Sequence, residues 1–374
     1  MINFPKVLKR MIIPKGDPMQ FIFFITARCN LFCKHCFYAD SLNKATNELR
    51  LDEYEKISRS MKDLLWISFT GGEPFLRKDI HQIAEFFYKN NHPHIFSINT
   101  NGVLKDLTLT GVERICAACP KTTVIIYVSL DGMEETHNRI RGIPNGFQKS
   151  LEVVREIKKL KKRFKNLNVS IITTINAINQ HEMKELALYL MNEVKPDNIS
   201  VNMIRGKPRY TSLGEVNLKN YFDFTKIQQQ GWNSGNLKYF NFWGKMFVQK
   251  KELMQKKLIA TIYKERKYAG VPCLAGSISG VMSEEGDVFP CEVLTEKIGN
   301  IRDVNYDIRK LWYSKKADEL RDFIKNTNCH CTYECAMTTS VLFNPKQLMK
   351  SFFLKEKDIY SISNEEQQRS AVNT

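Results

Sequence analysis

A chain of 374 residues with 43% hydrophobic side chains is long enough for one large domain and a smaller one, and it holds no run of the roughly 18 apolar residues that a membrane-spanning helix needs. Asp17 and Pro18 interrupt the basic N-terminal stretch and no small-residue cleavage site follows, so a signal peptide is excluded; with ten cysteines in clusters, this points to a cytoplasmic protein whose thiols serve metal rather than disulfides. Fifty-six basic against forty acidic residues leave a net charge of +16, which admits an acidic partner such as nucleic acid, a phosphorylated metabolite or an acidic peptide.

The first apolar run, 21–26, reads as a buried strand, and Cys29, Cys33 and Cys36 follow it with the spacing C-x3-C-x2-C. Soft thiolates suit iron–sulfur chemistry, and three of them can hold three irons of a [4Fe–4S] cubane. The fourth iron then has no ligand from this loop and is open to another molecule. Zinc is the alternative, with His35 or a distant cysteine as fourth donor. A helix reads at 52–62, with Asp52 and Glu53 in the first turn, where its dipole favours acids.

Strand 65–70 ends in Gly71-Gly72-Glu73-Pro74. Paired glycines there make a turn or let backbone approach a ligand closely. Helix 79–90 leads to strand 95–99, where Asn99 precedes an Asn101-Gly102 turn signal. Helix 106–118 carries Cys116, and Cys119 follows; both read as small core hydrophobes. Strand 124–130 runs through Ser129 to Asp131-Gly132, and a loop through His137 to Arg141-Gly142 follows. Helix 147–163 closes on a lysine-rich run that complements its dipole, and strands 168–175 and 198–203 flank helix 181–193.

Six alternating strand–helix units call for parallel strands with right-handed crossovers. Six units make a partial barrel rather than a closed eight-stranded one, with ligand sites at the C-terminal strand ends, where these motifs fall. The fold class is therefore α/β, a partial (β/α)6 TIM-like barrel followed by a small C-terminal domain.

Beyond it, helices read at 221–229 and 237–267, with Phe240, Phe242, Trp243, Phe247, Leu253 and Leu258 as a core stripe or a substrate wall. Cys273, Cys291, Cys329, Cys331 and Cys335 form a second set, with a hairpin turning at Glu285-Gly286-Asp287. Five thiolates can ligate one [4Fe–4S] cluster with one to spare, or a structural zinc. The tail frays after a short helix.

In their order, these motifs resemble the radical S-adenosylmethionine (SAM) superfamily: C-x3-C-x2-C after the first strand, GGEP about 35 residues later, then S-x-D-G followed by H-x-x-x-R-G. C-x12-G-x4-C from Cys273 to Cys291 resembles the opening of the SPASM and twitch extensions. The resemblance spans about 20–340. It implies that the open iron chelates SAM and that the reduced cluster cleaves it to methionine and a 5′-deoxyadenosyl radical, which abstracts a substrate hydrogen. It implies that Gly71, Gly72, Glu73 and Pro74 contact the SAM amino group, that Asn99 and Ser129 face SAM from strand ends, and that Arg141 reaches its carboxylate. It further implies one auxiliary [4Fe–4S] cluster on Cys273, Cys291 and Cys335, with Cys329 and Cys331 competing for the last place. The chain has five C-terminal cysteines where a full SPASM extension has seven or more.

The implied organisation is an N-terminal segment 1–19, a radical SAM core 20–205, a helical connector 206–270, an auxiliary-cluster domain 271–340 and a tail 341–374. The implied partners are SAM, a peptide or small-molecule substrate, and a reductant such as flavodoxin or ferredoxin. Only 28 residues precede Cys29, too few for an N-terminal peptide-recognition domain. Two other readings stand beside this one. The net charge motivates an RNA-modifying or nucleic-acid-binding protein, although no RNA-binding module is visible and the charge is not interleaved with aromatics. The other is a non-catalytic iron–sulfur scaffold.

Overall fold

Strand β1 (Gln20–Thr26) is buried at all of its positions, as a strand covered on both faces must be. The computed structural model describes residues 4–44, 47–238 and 242–362. After helix α1 (Phe4–Ile12), β1 is followed by α2 (Leu51–Ser60), β2 (Trp66–Gly71), α3 (Ile80–Asn91), β3 (Ile95–Thr100), α4 (Lys105–Ala118) and β4 (Thr123–Ser129). Then come α5 (Glu134–Arg141), α6 (Gly146–Leu160), β5 (Leu167–Ile175), α7 (Met183–Tyr189) and β6 (Asn198–Met203). Each of the six strands pairs in parallel with its neighbour in sequence. The sheet does not close, and it forms the expected partial barrel.

Alternation along the strands separates two faces. Phe21, Phe23, Phe69, Phe96 and Ile126 turn outward into the main core beneath the helices and are fully buried. Phe23 and Phe87 of α3 stand 4.8 Å apart between ring centroids. Burial of each such side chain is worth about 1.5–3 kcal/mol, so this layer outweighs any single ion pair in holding helices to sheet. Inward-facing positions are far more polar: the indole Nε1 of Trp66 donates to Ser97 Oγ at 2.7 Å, and Ser68 bonds the same hydroxyl at 2.7 Å.

Segment 134–141, expected as a loop, is helix α5. Glu134 and Glu135 in its first turn and Arg139 and Arg141 in its last complement the dipole, and Gly142 ends it at φ 69°.

Helices α8 (Leu218–Ser234) and α9 (Phe242–Glu265) cover the open edge of β6. An exposed strand edge is a template for unwanted pairing. Here Gln228 Nε2 donates to the carbonyl of Ile199, Lys256 Nζ donates to that of Val201, and Glu334 Oε1 accepts from the Met203 amide at 3.0 Å. Of the apolar stripe read on this segment, Leu253 and Leu258 are buried in the core, while Phe240 lies outside the described residues.

At the other edge, β7 (Ser279–Met282) pairs in parallel with β1, from Gln20↔Ser279 to Phe23↔Met282. A hairpin returns through Gly286, at φ 87°, into β8 (Asp287–Phe289), and β9 (Gly299–Asn300) follows. The C-terminal strands thus prolong the barrel sheet to nine strands, ordered β6-β5-β4-β3-β2-β1-β7-β8-β9. Helices α10 (Ile308–Trp312), α11 (Lys315–Asn326), α12 (Glu334–Leu342) and α13 (Pro345–Phe353) complete the chain. Among the described residues, no helix is long and apolar enough to cross a membrane.

Candidate active site

Cys29, Cys33 and Cys36 lie on the loop that leaves the C-terminal end of β1. Local hydrogen bonds fix this loop. Asn43 accepts from the Cys29 amide at 2.8 Å and returns a bond to its carbonyl at 2.9 Å. Glu48 Oε1 accepts from Thr26 Oγ1 at 2.6 Å and from the Ala27 amide at 2.9 Å. On the far side, the amides of Arg209 and Tyr210 donate to the carbonyls of Cys36 and Lys34.

Burial raises all three thiols, Cys29 to about 11. The cations Arg141 and Arg209 oppose that rise at Cys33 and Cys36, and metal requires the thiolate. Three soft donors on one loop beside two guanidiniums fit an anionic iron–sulfur cluster. Among the described residues, no three His, Cys, Asp or Glu side chains gather for a single metal ion. A cubane takes each thiolate on a different iron, so it needs no such convergence.

Arg141 reaches this loop from the last turn of α5. Its Nε donates to Asp131 Oδ2 at 2.6 Å and its Nη1 lies 3.8 Å from Cys33 Sγ. Burial works against both charges, yet Arg141 holds Asp131 down at about 2 and Asp131 keeps Arg141 charged. Asp131 also accepts from the Thr174 amide at 2.8 Å and faces His35 Nε2 at 3.7 Å. Desolvation depresses His35 to about 4, so it sits there neutral.

The Gly71-Gly72-Glu73-Pro74 turn abuts the same loop. The Gly72 and Glu73 amides donate to the carbonyls of Thr26 and Arg28, each at 2.8 Å. A Cβ on Gly72 would stand 2.1 Å from the Arg28 oxygen, and one on Gly71, at φ 126°, 2.3 Å from that of Thr26. The glycines therefore admit backbone of the cysteine loop. Glu73 is buried and accepts from the Asn101 amide at 2.8 Å, Thr100 Oγ1 at 2.9 Å and the Phe75 amide at 3.2 Å. Burial nonetheless raises it to about 7. Asn101 in turn donates to Asn30 Oδ1 at 2.8 Å.

Asn99 and Ser129 lie on the inward face of β3 and β4. Asn99, in register with Tyr127, lines a cavity of about 130 Å³ that runs through the barrel; Ser129 lies beyond its lining at the end of β4. Asp131, Asn43 and Arg209 were not singled out from sequence. Only Asp131 had a signal, its place in the S-x-D-G motif.

Four of the five C-terminal cysteines, Cys273, Cys291, Cys329 and Cys331, gather. Cys273 donates a hydrogen bond to Cys329, which lowers Cys329 to about 7, and Cys331 lies within electrostatic reach of Cys273, Cys291 and Cys329. Cys291 Sγ accepts from the amides of Val293 and Leu294 at 3.4 Å. Cys335, within electrostatic reach of Cys331, stands at the cavity wall, where its thiol donates to Glu292 Oε2 at 2.7 Å. Arg205, 3.7 Å from Glu292, packs against the rings of both Phe37 and Tyr333.

Residues 23–190 match the family model described as the Radical SAM superfamily. This segment is a radical SAM domain. An AdoMet-dependent heme synthase of Methanosarcina barkeri is 28% identical to this radical SAM enzyme over 330 residues, 83% of this chain and 87% of the relative. A PqqA peptide cyclase of Bradyrhizobium diazoefficiens is 26% identical over 174 residues; the match spans 46% of this chain and less than half of the cyclase, 43%. Among solved structures, Streptococcus suis SuiB bound to S-adenosylmethionine superimposes with a TM-score of 0.59 at 19% identity, covering 84% of this chain and 70% of SuiB. That likeness is one of fold.

Proposed function

We propose that this radical SAM enzyme holds a [4Fe–4S] cluster on Cys29, Cys33 and Cys36 and binds SAM beside it, with a peptide or small molecule as substrate. The observation that carries the reading is the contact of Arg141 with Cys33 on a loop packed against Gly71 and Gly72. When bound, the reduced cluster supplies one electron that splits SAM into methionine and a 5′-deoxyadenosyl radical able to abstract a substrate hydrogen.

Around that chemistry the chain supplies position and charge. Arg141 offsets the thiolate charge of Cys33, and Asp131 orients Arg141. The 71–74 turn, Asn99 and Ser129 would hold SAM, the turn serving its amino group. Four of Cys273, Cys291, Cys329, Cys331 and Cys335 would hold one auxiliary [4Fe–4S] cluster, which would supply an electron acceptor. The core spans 20–205 and the auxiliary region 271–340. A flavodoxin or ferredoxin serves as electron donor. Support for a peptide substrate comes from PqqA peptide cyclase and from SuiB, solved with its precursor peptide SuiA; support for a small molecule comes from the heme synthase.

The test is anaerobic reconstitution followed by 5′-deoxyadenosine measurement with SAM and dithionite. Wild type forms 5′-deoxyadenosine, and the Cys29→Ala/Cys33→Ala/Cys36→Ala variant forms none. Equal product from both would end the proposal.

A further inference from the structure

The barrel cavity is lined by groups that make hydrogen bonds, and several of those bonds are unmade. Gln20, Trp66 and Asn198 lie at one end, and Thr70, Asn99 and Asn202 near the strands' C-terminal ends. Among the lining atoms, Gln20 Oε1, Gln228 Oε1 and Glu334 Oε2 are buried without any hydrogen-bond partner. The Gln228 orientation is fixed, because its amide nitrogen donates to the Ile199 carbonyl and leaves the oxygen over. Glu334 is fixed in the same way, with Oε1 taken by the Met203 amide. Gln20 is 4% exposed and Gln228 1%.

Buried acceptors without donors are costly and rare in folded proteins. Arg205 and Lys256 act on Glu334 through their charge, but neither hydrogen-bonds its Oε2: Arg205 faces Glu292, and Lys256 is bonded to the Val201 carbonyl. What is missing is a set of neutral or cationic donors in a small volume. A cavity of about 130 Å³ has room for several waters or for a group of a few heavy atoms. That is side-chain size, well below the space a tetrapyrrole needs.

We infer that the barrel takes a small substrate group bearing hydrogen-bond donors, a hydroxyl, amine or amide of a few heavy atoms, between Gln20, Gln228 and Glu334. The inference rests on the reading of this barrel as the radical SAM active site. An iron porphyrin does not enter a space of this size. The donor group belongs to a peptide residue or to a free small molecule, and the two share this chemistry.

The test is calorimetric titration of the reconstituted holoenzyme with SAM present. The probes are N-acetylthreoninamide, its isostere N-acetylvalinamide, N-acetylphenylalaninamide, an iron porphyrin, and a pentapeptide with threonine at its centre. The threonine probe binds about tenfold or more tightly than the valine probe, a difference of about 1.4 kcal/mol. The pentapeptide exceeding the free amide identifies a peptide source; equal binding identifies a small molecule.

Gln20→Met removes an unpaired acceptor at constant volume, so it abolishes the threonine preference while the melting temperature holds or rises. Ser200→Ala, also on the lining, weakens the preference in the same sense. Equal or tighter binding of the valine, phenylalanine or porphyrin probe, no binding of any probe, or a threonine preference that survives both variants overturns the inference. Substrate-free 5′-deoxyadenosine formation, measured on the same wild-type preparation, reports separately on the radical SAM reading.

Discussion

Arg141 and Asp131 form a buried ion pair, Nε to Oδ2 at 2.6 Å, one arm of which extends to the sulfur of Cys33. Removing one member of such a pair leaves the other buried and uncompensated, which costs about 3–5 kcal/mol. Asp131→Asn is isosteric and keeps a carbonyl oxygen for the Thr174 amide, while its NH2 then faces the Arg141 Nε donor, so the loss combines the charge with that one hydrogen bond. The expected outcome is a fall in unfolding free energy of about that size by urea titration, together with a shifted reduction potential of the bound cluster in redox-titrated EPR. An unchanged potential with lowered stability would make the pair purely structural.

The second prediction concerns Gly72. A methyl group there would meet the Arg28 carbonyl at 2.1 Å, and that carbonyl is tied to the Glu73 amide. Backbone cannot yield as a flexible side chain can. Gly72→Ala is expected to cost on the order of 3–4 kcal/mol, at the diagnostic end for single substitutions. It should also lower iron retention, because the displaced backbone leads directly into Cys29. Thermal melts and iron assay on the same sample check both.

Most of the barrel was legible because its strands are long, apolar and separated by amphipathic helices, so that one periodicity decides each element. Helix α5 was not, because its eight residues are almost all polar and carry no apolar period; only its end charges and Gly142 mark it. Pairing of β7 with β1 was hidden for another reason. Four residues that join a strand some 260 positions away leave no local signal. The site divides the same way. The cysteines and the GGEP turn stood out by spacing. Asn43 and Arg209, which hold the loop, are unremarkable in sequence and acquire their roles only when distant backbone closes on it. The polar barrel interior was likewise invisible as a set, since Gln20, Gln228 and Glu334 come from three separate elements.

A pH dependence follows from Glu53. Burial would raise this carboxyl, but the fork of Arg302, at 2.7 and 3.2 Å, with the Tyr306 hydroxyl at 2.9 Å, holds it at about 2 against an ordinary 4.5. A depressed carboxyl stabilises the fold above its unfolded value and loses that contribution as pH falls through its folded one. The stabilisation is therefore complete above about 4.5 and disappears toward about 2. Glu53→Gln should lower stability at neutral pH by on the order of 2–3 kcal/mol, and the gap to wild type should close across that acid window. Urea midpoints of the two iron-free chains at stepped pH give the comparison. Because Arg302 also donates to the carbonyls of Glu285 and Asn47, Arg302→Lys should reproduce most of the loss by giving up the fork.

The last prediction separates the two cysteine sets. Two [4Fe–4S] clusters require about eight irons per chain, and one requires about four. Wild type is expected near eight after anaerobic reconstitution, and the Cys29→Ala/Cys33→Ala/Cys36→Ala variant near four, without SAM cleavage. Cys273→Ala/Cys291→Ala/Cys329→Ala/Cys331→Ala should also fall near four but retain substrate-free 5′-deoxyadenosine formation, since none of these thiols touches the β1 loop. Cys335 is the informative single change. Its thiol faces Glu292 and the cavity while the other four converge, so Cys335→Ala distinguishes a ligand from a wall residue. Iron falling toward four makes Cys335 an auxiliary ligand. Iron held near eight leaves Cys329 and Cys331 both coordinating, and turns Cys335, beside Arg205 and Glu292, toward the substrate.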